Sequence, residues 1–305
     1  MRVTLIYNPN AGSIQQPSED DLIGLIRNAG HTVFRRSSDD DELDKMLADP
    51  GEVVVVAGGD GTVGKVAKNL IGKGPAIAVL PMGTANNIAT TLGIMNRAIE
   101  ELIEEWTSSR RMQFDVGEAN GPWGSMCFIE GFGIGLFSET MARLHATDNV
   151  DLTHLDNTQI KITSILEILK DRLRDYRAKN LKIALDGRDV SGAYILLEAL
   201  NIKYIGPNLH LAPGADPSDG FLDIVFVSEG EKDHLGRYLS ELTENELIQP
   251  GWTVRKGRHL QIEWDGFSTH IDDQAWPEKD SNVPPAPAII DVQANRYSVA
   301  FLVPG

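Results

Sequence analysis

The chain has 305 residues, with 28 Lys and Arg against 44 Asp and Glu, a formal charge of −16 and 42% apolar positions. That composition describes an acidic globular protein with room for about two domains, and its charge repels nucleic acid and anionic surfaces at long range. The single cysteine, Cys127, excludes an internal disulfide framework and a cysteine-based zinc cluster.

The opening residues MRVTLIYNPNAGS lack the apolar stretch and cleavage site of a secretory signal, and no run approaches the ~18 apolar residues of a membrane span. The expectation is a cytoplasmic protein without a transmembrane segment. From residue 1 to about 110, short β-branched runs alternate with helical patterns. Residues 3–7 precede 20–28, 32–36 precede 40–47, 53–57 precede 62–71, and 76–80 precede 85–92. This alternation predicts βαβ units around a mostly parallel, Rossmann-like sheet. The run Val53-Val54-Val55-Val56 is apolar on both faces, as a central strand covered on both sides must be.

After about Gln113 the pattern changes to short alternating segments, at 181–185, 193–200, 222–227 and 260–264, separated by Gly, Asp, Asn and Pro. The expected fold class is therefore α/β plus mainly β, with a parallel α/β domain over 1–112 and an antiparallel β-sandwich domain over 113–295. A last strand at 297–303 is expected to return to the first domain. One helical stretch, 158–177, interrupts the strands, with Ile162, Ile165, Leu166, Leu169 and Leu173 at helical spacing. It reads as an amphipathic helix covering a sheet, the alternative being a membrane-surface or substrate-cap helix. Residues 277–287 read as an exposed loop.

The strand at 53–57 runs into Gly58-Gly59-Asp60-Gly61-Thr62-Val63-Gly64-Lys65 and then a helix. Glycines let the backbone approach an anion, and the helix N-terminus supplies free N–H groups and a positive dipole end. Read as a Walker A loop, Gly59 to Lys65 fits, but Val66 stands where a hydroxyl should reach the metal. Read as a dinucleotide fingerprint, Gly59-x-Gly61-x-x-Gly64 fits, but the acidic residue expected about 20 positions on is missing from Val79-Leu80-Pro81-Met82-Gly83. Two further turns follow predicted strands, Asn8-Pro9-Asn10-Ala11-Gly12-Ser13 and Pro81-Met82-Gly83-Thr84-Ala85-Asn86-Asn87. In an open α/β sheet these three turns share the carboxyl edge, where ligands bind, and together they suit a nucleoside triphosphate.

In this order the three turns resemble those of the diacylglycerol kinase catalytic domain family, which includes bacterial lipid kinases and the sphingosine and ceramide kinases. The resemblance continues through Asn201-Ile202-Lys203-Tyr204-Ile205-Gly206-Pro207, Leu211-Ala212-Pro213 and Asp219-Gly220-Phe221-Leu222-Asp223. A Gly-Gly-Asp-Gly turn alone also occurs in NAD kinases and 6-phosphofructokinases, whereas the ordered set is specific. The resemblance implies a lipid kinase that moves the γ-phosphoryl group of ATP to a diacylglycerol-like hydroxyl, with ATP and Mg²⁺ as cofactors and a membrane-surface lipid as partner. It implies ATP contacts from Asn8, Pro9, Asn10, Ala11 and Gly12, from Gly58, Gly59, Asp60, Gly61, Thr62, Val63 and Gly64, and from Gly83 and Thr84, in a cleft between the two domains. Ser37 takes a position where relatives carry Thr, while Gly64, Lys65 and Asn87 stand where relatives usually have Asn, Glu and Asp.

The same resemblance implies a magnesium site from Asp216, Asp219 and the carbonyl of Phe221, hard oxygen ligands that suit this ion. Without the resemblance, Asp219-Gly220 would read as a plain turn opening a strand. Relatives place a proton-accepting carboxylate in a late Asp-Gly-Glu segment; the aligned residues here are Asp272, Asp273 and Gln274. An amide cannot act as a base near neutral pH, so Asp272, with Asp273 as the alternative, is the expected proton acceptor and Gln274 orients the acceptor. His270 reads as a structural histidine at a strand end. Two other functions stay open: an NAD kinase-like small-molecule kinase, and a weakly catalytic nucleotide- or lipid-binding homologue in which Gln274 replaces the family Glu.

Overall fold

The computed structural model describes residues 1–12, 16–37, 43, 47–146, 157–244, 249–277 and 285–305. The chain divides into two units, Met1–Asp115 with Asp156–Thr158 and Tyr297–Gly305, and Val116–Leu155 with Gln159–Arg296. In the first, β1 (Arg2–Tyr7), α1 (Glu19–Asn28), β2 (Thr32–Ser37), β3 (Val53–Gly58), α2 (Asp60–Asn69), β4 (Ala76–Pro81), α3 (Asn87–Thr91) and α4 (Ile99–Glu105) follow one another. The strands are parallel and lie in the order β2-β1-β3-β4. Every residue of β3 is buried, as its unbroken apolar run requires of a central strand. Helix α1 begins with a capping box between Ser18 and Asp21 and buries Leu22, Ile23 and Ile26; α2 buries Val63, Val66 and Ala67.

Because β1 has β2 on one side and β3 on the other, the sheet order reverses between β1 and β3. The carboxyl ends of those two strands flank a topological switch point, the place where open α/β sheets bind ligands.

The second unit takes over partway along β5 (Arg110–Gly121) and contains β6 (Gly124–Phe128), β7 (Gly131–Gly135), α5 (Leu136–Ala146), α6 (Thr158–Asp175), β8 (Lys179–Leu181), β9 (Ile183–Leu185), β10 (Arg188–Asp189) and β11 (Gly192–Leu200). There follow β12 (Tyr204–Ile205), β13 (Leu209–His210), β14 (Leu222–Ser228), α7 (Lys232–Thr243), β15 (Thr253–Gly257), β16 (His259–Trp264), β17 (Thr269–Ile271), β18 (Gln274–Trp276) and β19 (Ala288–Val303). One antiparallel sheet runs β15-β14-β11-β7-β17-β18. Its inner face sends Phe132, Ile134, Leu197 and Phe226 into a shared core with Leu260, Ile262, Trp264 and Ile290 from the β9-β16-β19 side, the two-layer packing of a β-sandwich. The other face is covered by helices, through Phe137, Leu166, Leu169 and Tyr238 against Leu196 and Val225. Strand β19 then passes into the first unit, where Ala300 and Phe301 pair in parallel with Ala76 and Ile77 of β4.

The fold class expected from the sequence is the one observed, with differences in detail. Among the described residues three α-helices, not one, accompany the strands of the second unit: α5 and α7 join α6. Gly236 within α7 and the polar Ser138-Glu139-Thr140 turn in α5 blunt the periodicity that would have announced them. Helix α4 was also missing from the expected elements, and the segment at 181–185 is two short strands broken at Lys182. The last strand is longer than expected, beginning at Ala288. The helical pattern expected at 40–47 and much of the 277–287 loop lie outside the described residues. Among the described residues no helix is long and apolar enough to cross a membrane.

Candidate functional site

The three turns singled out in the first half of the sequence meet at the carboxyl ends of β1, β3 and β4. Asn8 ties the first to the second: its backbone N–H donates to Ala57 O (3.0 Å) and its side-chain amide donates to Thr62 Oγ1 (2.9 Å). Within that turn the Asn10 N–H donates to Asn8 Oδ1 (3.0 Å), so Asn8 also shapes the Pro9–Gly12 backbone. The second turn is tied to the third by the Met82 N–H, which donates to Gly58 O (3.0 Å). Gly59 and Gly83 then lie back to back, with room for no Cβ on either. Gly12 closes the ring against the Met82 carbonyl.

This arrangement presents backbone amides rather than charges. Gly59 is the N-cap of α2 and brings no side chain to the cap, so the first-turn N–H groups of that helix keep their capacity for an outside acceptor. Asp60 turns away from that role. Its carboxylate accepts from the N–H of Asn87 (3.0 Å) and of Ile88 (2.9 Å), holding the start of the short helix α3. Burial pushes the Asp60 carboxyl up, against the pull of those amides. Asn86, in the left-handed region at φ 53°, closes the Gly83–Asn86 turn through both ends of its amide, at 2.8 and 2.9 Å, and Thr84 stands half-exposed within that turn. Val63 and Gly64 are buried in α2, and Ser37 ends β2 opposite Tyr7.

The late acidic segment lies in the second unit as the two-residue hairpin between β17 and β18, with Ile271 paired to Gln274. Asp272 is buried, and its carboxylate accepts from three consecutive backbone N–H groups, those of Ile129 (3.0 Å), Glu130 (2.8 Å) and Gly131 (3.2 Å). Its own N–H donates to Gly131 O (2.8 Å). Asp272 therefore builds the turn, and its carboxylate is committed to the backbone of β7's entry. Asp273 and Gln274 are exposed at the tip.

Two residues that sequence reasoning passed over or read as merely structural stand behind this turn. His270 and Glu198 are fully buried, and Nε2 of His270 lies 2.8 Å from Glu198 Oε2. They meet across Gly133, whose missing side chain makes the space; His270 and Glu198 both pair with Gly133 in the sheet register. The signal in the sequence was Gly131-Phe132-Gly133-Ile134-Gly135, a strand with glycine on one face, which marks close approach of neighbours. Burial pushes the Glu198 carboxyl up. Burial is the strongest single influence on His270 and would lower it, but the Glu198 carboxylate together with the carbonyl and charge of Asp272 outweighs burial and raises its pKa above the usual value.

The expected magnesium ligands lie before β14. Asp216 Oδ1 accepts from the N–H (3.0 Å) and hydroxyl (2.6 Å) of Ser218, and these bonds hold the Asp216 carboxyl low. Asp219 Oδ1 accepts from the Phe221 N–H (3.0 Å), and its other oxygen carries the Lys256 ammonium, which also lies 3.9 Å from Asp223. Burial raises the Asp223 carboxyl, and Asp219 and Asp216 add to that. A cationic group thus already sits among these oxygen donors, so their chemistry fits a small hard cation. Among the described residues no group of three or more His, Cys, Asp and Glu side chains is arranged to hold a metal.

Comparison with known proteins agrees with the fold and with the order of its two halves. Residues 2–119 match the diacylglycerol kinase catalytic domain, and residues 145–294 match the YegS C-terminal NAD kinase beta sandwich-like domain. The protein named "Probable lipid kinase YegS-like" of Citrobacter koseri is 28% identical over 261 residues, covering 81% of both chains. The protein named "Probable lipid kinase YegS" of Salmonella heidelberg is 36% identical over 209 residues, covering 66% of this chain and 64% of its own. The crystal structure of a diacylglycerol kinase from Bacillus anthracis shares the fold, with a TM-score of 0.67 at 19% identity over 99% of this chain and 96% of that one.

Proposed function

The chain belongs to the diacylglycerol kinase catalytic domain family, and from that premise we propose that it transfers the γ-phosphoryl group of ATP to the hydroxyl of a diacylglycerol-like lipid. The observation that carries this reading is the meeting of three amide-rich turns at the β1/β3 switch point, tied together by Asn8, Thr62, Gly59 and Gly83. Phosphoryl transfer asks a protein mainly for positioning and charge stabilisation. Backbone N–H groups from Asn8–Gly12, from Gly58–Thr62 and from Gly83 and Thr84 hold the phosphates in this proposal, with Ser37 as a further contact. Asp60 acts at one remove, by fixing α3. Val63 and Gly64 contribute only through the α2 backbone.

On the acceptor side, the lipid hydroxyl oxygen bonds to the γ-phosphorus while the bond to the bridging oxygen of ADP breaks, and the hydroxyl proton passes to a carboxylate. Asp273 takes that proton in place of Asp272, whose carboxylate is held by three amides, and Gln274 orients the hydroxyl through its amide. Magnesium, when bound, neutralises charge on the transferring phosphates. In the second unit Asp216, Asp219 and the Phe221 carbonyl would hold such an ion after Lys256 moves aside, and those residues otherwise keep the entry to β14 in place. A surface this acidic favours brief visits to the bilayer over standing attachment.

The test is labelled ATP, with GTP in parallel, offered with vesicles carrying diacylglycerol, phosphatidylglycerol, undecaprenol or a sphingoid base, and products identified by mass spectrometry. A new lipid phosphomonoester from one of them is expected. ATP binding without any phosphorylated lipid would replace this function by a binding role, and phosphorylation of NAD instead would move the chain to the small-molecule kinases.

A further inference from the structure

A two-residue hairpin closes as a type I′ or a type II′ turn, and the two differ by a flip of the central peptide. Asp272 is at φ 50° while Asp273 is not among the positive-φ residues, the type II′ pattern; the alternative, type I′, needs both residues there. The carbonyl of that central peptide belongs to Asp272, and it faces the buried His270 ring, with Nδ1 at 3.0 Å. A carbonyl only accepts, so Nδ1 carries a proton. The ring's other nitrogen, Nε2, then faces Glu198 Oε2 at 2.8 Å with one proton between them, either on the imidazole or on the carboxyl. The second Glu198 oxygen, Oε1, is buried without a hydrogen-bond partner, so the pair has no outlet for its charge other than this contact.

We propose that Glu198 and His270 are positioning residues for the transfer reaction: the pair pins the Asp272–Asp273 peptide in one orientation, and so fixes the direction in which Asp273 is presented. This rests on the lipid kinase proposal for its purpose, though not for its mechanics. The groups facing His270 are few. Strand β7 offers Gly133 and no ionisable side chain, β11 offers Glu198, and the turn offers Asp272. Helix α5 sets the edge of Phe137 against the ring at 5.0 Å, while its Glu139 is paired elsewhere with Lys179 and Arg172.

Loss of the shared proton leaves a carboxylate facing an imidazole lone pair in a dry site, and the contact turns repulsive. When the turn opens and water reaches the pair, above about pH 6.5 the imidazole is neutral and the carboxylate ionised, so the proton they shared is gone. The closed turn then holds one proton more than the open one, so opening becomes more favourable by about tenfold per pH unit until the closed pair also deprotonates.

Hydrogen exchange, expressed as protection factors for the Ile129, Glu130, Gly131 and Asp272 amides, tests this without reference to turnover. In the full-length protein these protection factors should fall about tenfold per unit as pH rises above about 6.5. In Glu198→Gln the amide donates to Nε2 of a neutral imidazole, the Nδ1–H contact survives, and the slope should vanish. A flat profile in the unsubstituted protein, which needs no variant at all, or the same slope in Glu198→Gln, would overturn the proposal. With lipid phosphorylation established, the alkaline limb of kcat should follow the exchange profile and disappear in Glu198→Gln, with KM for ATP unchanged. A sloped exchange profile in a protein that phosphorylates no lipid would sink the kinase reading and leave the pinning of the turn standing.

Discussion

Gly59 and Gly83 approach so closely that a Cβ on Gly59 would lie 2.9 Å from the Gly83 Cα, and one on Gly83 would overlap the Gly59 backbone. Neither contact involves a side chain that could swing aside. Gly83→Ala must therefore push the third turn away from the second, at a cost of about 1–3 kcal/mol, and should weaken ATP binding by at least about tenfold. Gly74→Ala, at a position where a Cβ meets nothing, is the control and should leave both unchanged. Calorimetric titration with ATP and chemical denaturation of the two variants check this; unaltered nucleotide affinity in Gly83→Ala would remove the turns from the binding site.

The adjacent aspartates of the β17–β18 hairpin should separate structure from chemistry. In Asp272→Asn one oxygen remains for three amide donors and an NH₂ group confronts them, so a stability loss of about 3 kcal/mol is expected. In Asp273→Asn, at the exposed tip, stability should stay within about 0.5 kcal/mol while kcat for lipid phosphorylation falls by about 10² to 10⁴. Gln274→Glu should partly rescue Asp273→Asn by supplying a second carboxylate at the tip. Full turnover in Asp273→Asn would return the search for a base to its start.

How much of this was legible in the sequence follows from distance along the chain. The parallel sheet announced itself because Val53 to Val56 and the glycines after it are local patterns, and the three turns could be matched in order because each is short. The roles of the aspartates could not be read this way. Asp60 and Asp272 look like free carboxylates in a glycine- or aspartate-rich turn, yet each is bound by amides that arrive from 27 to 28 and from 141 to 143 positions away. Glu198 and His270 are 72 positions apart, and only the alternating glycines of β7 hinted that something had to fit there. Helices α5 and α7 are stabilised chiefly by the sheet beneath them, and a tertiary contribution of that kind leaves little trace in local periodicity.

The proposed magnesium site places the ion where the Lys256 ammonium meets Asp219, which predicts how the second unit should answer magnesium. Removing the ammonium in Lys256→Met takes from Asp219 and Asp223 the cation both of them meet, and leaves Asp223 to the repulsion of Asp219 and Asp216. The melting temperature of this variant should drop and then recover in millimolar magnesium, whereas the unsubstituted protein should respond little. Thermal melts with MgCl₂ and with EDTA measure the difference. Equal magnesium responses in the two proteins would show that Lys256 and the ion do not compete for the same oxygens.

Acid stability should depend on His210. Its ring stacks on Tyr204 at 4.3 Å, with Nε2 buried and lacking a hydrogen-bond partner. Burial, and then the charge on Lys203, hold its pKa below the usual value. The unfolded chain therefore takes up this proton first as pH falls. The stability His210 provides is complete above about pH 6.5 and is lost as pH drops through the folded value. His210→Phe keeps the stack and has no proton to take up, so its melting temperature should decline less between about pH 7 and pH 5 than that of the unsubstituted protein. The Glu198–His270 pair carries the opposite sign, since its folded form holds its proton more tightly than the unfolded chain. With His210→Phe the acid limb should flatten and the alkaline limb stay; parallel acid limbs in the two proteins would show that His210 is not the group being titrated.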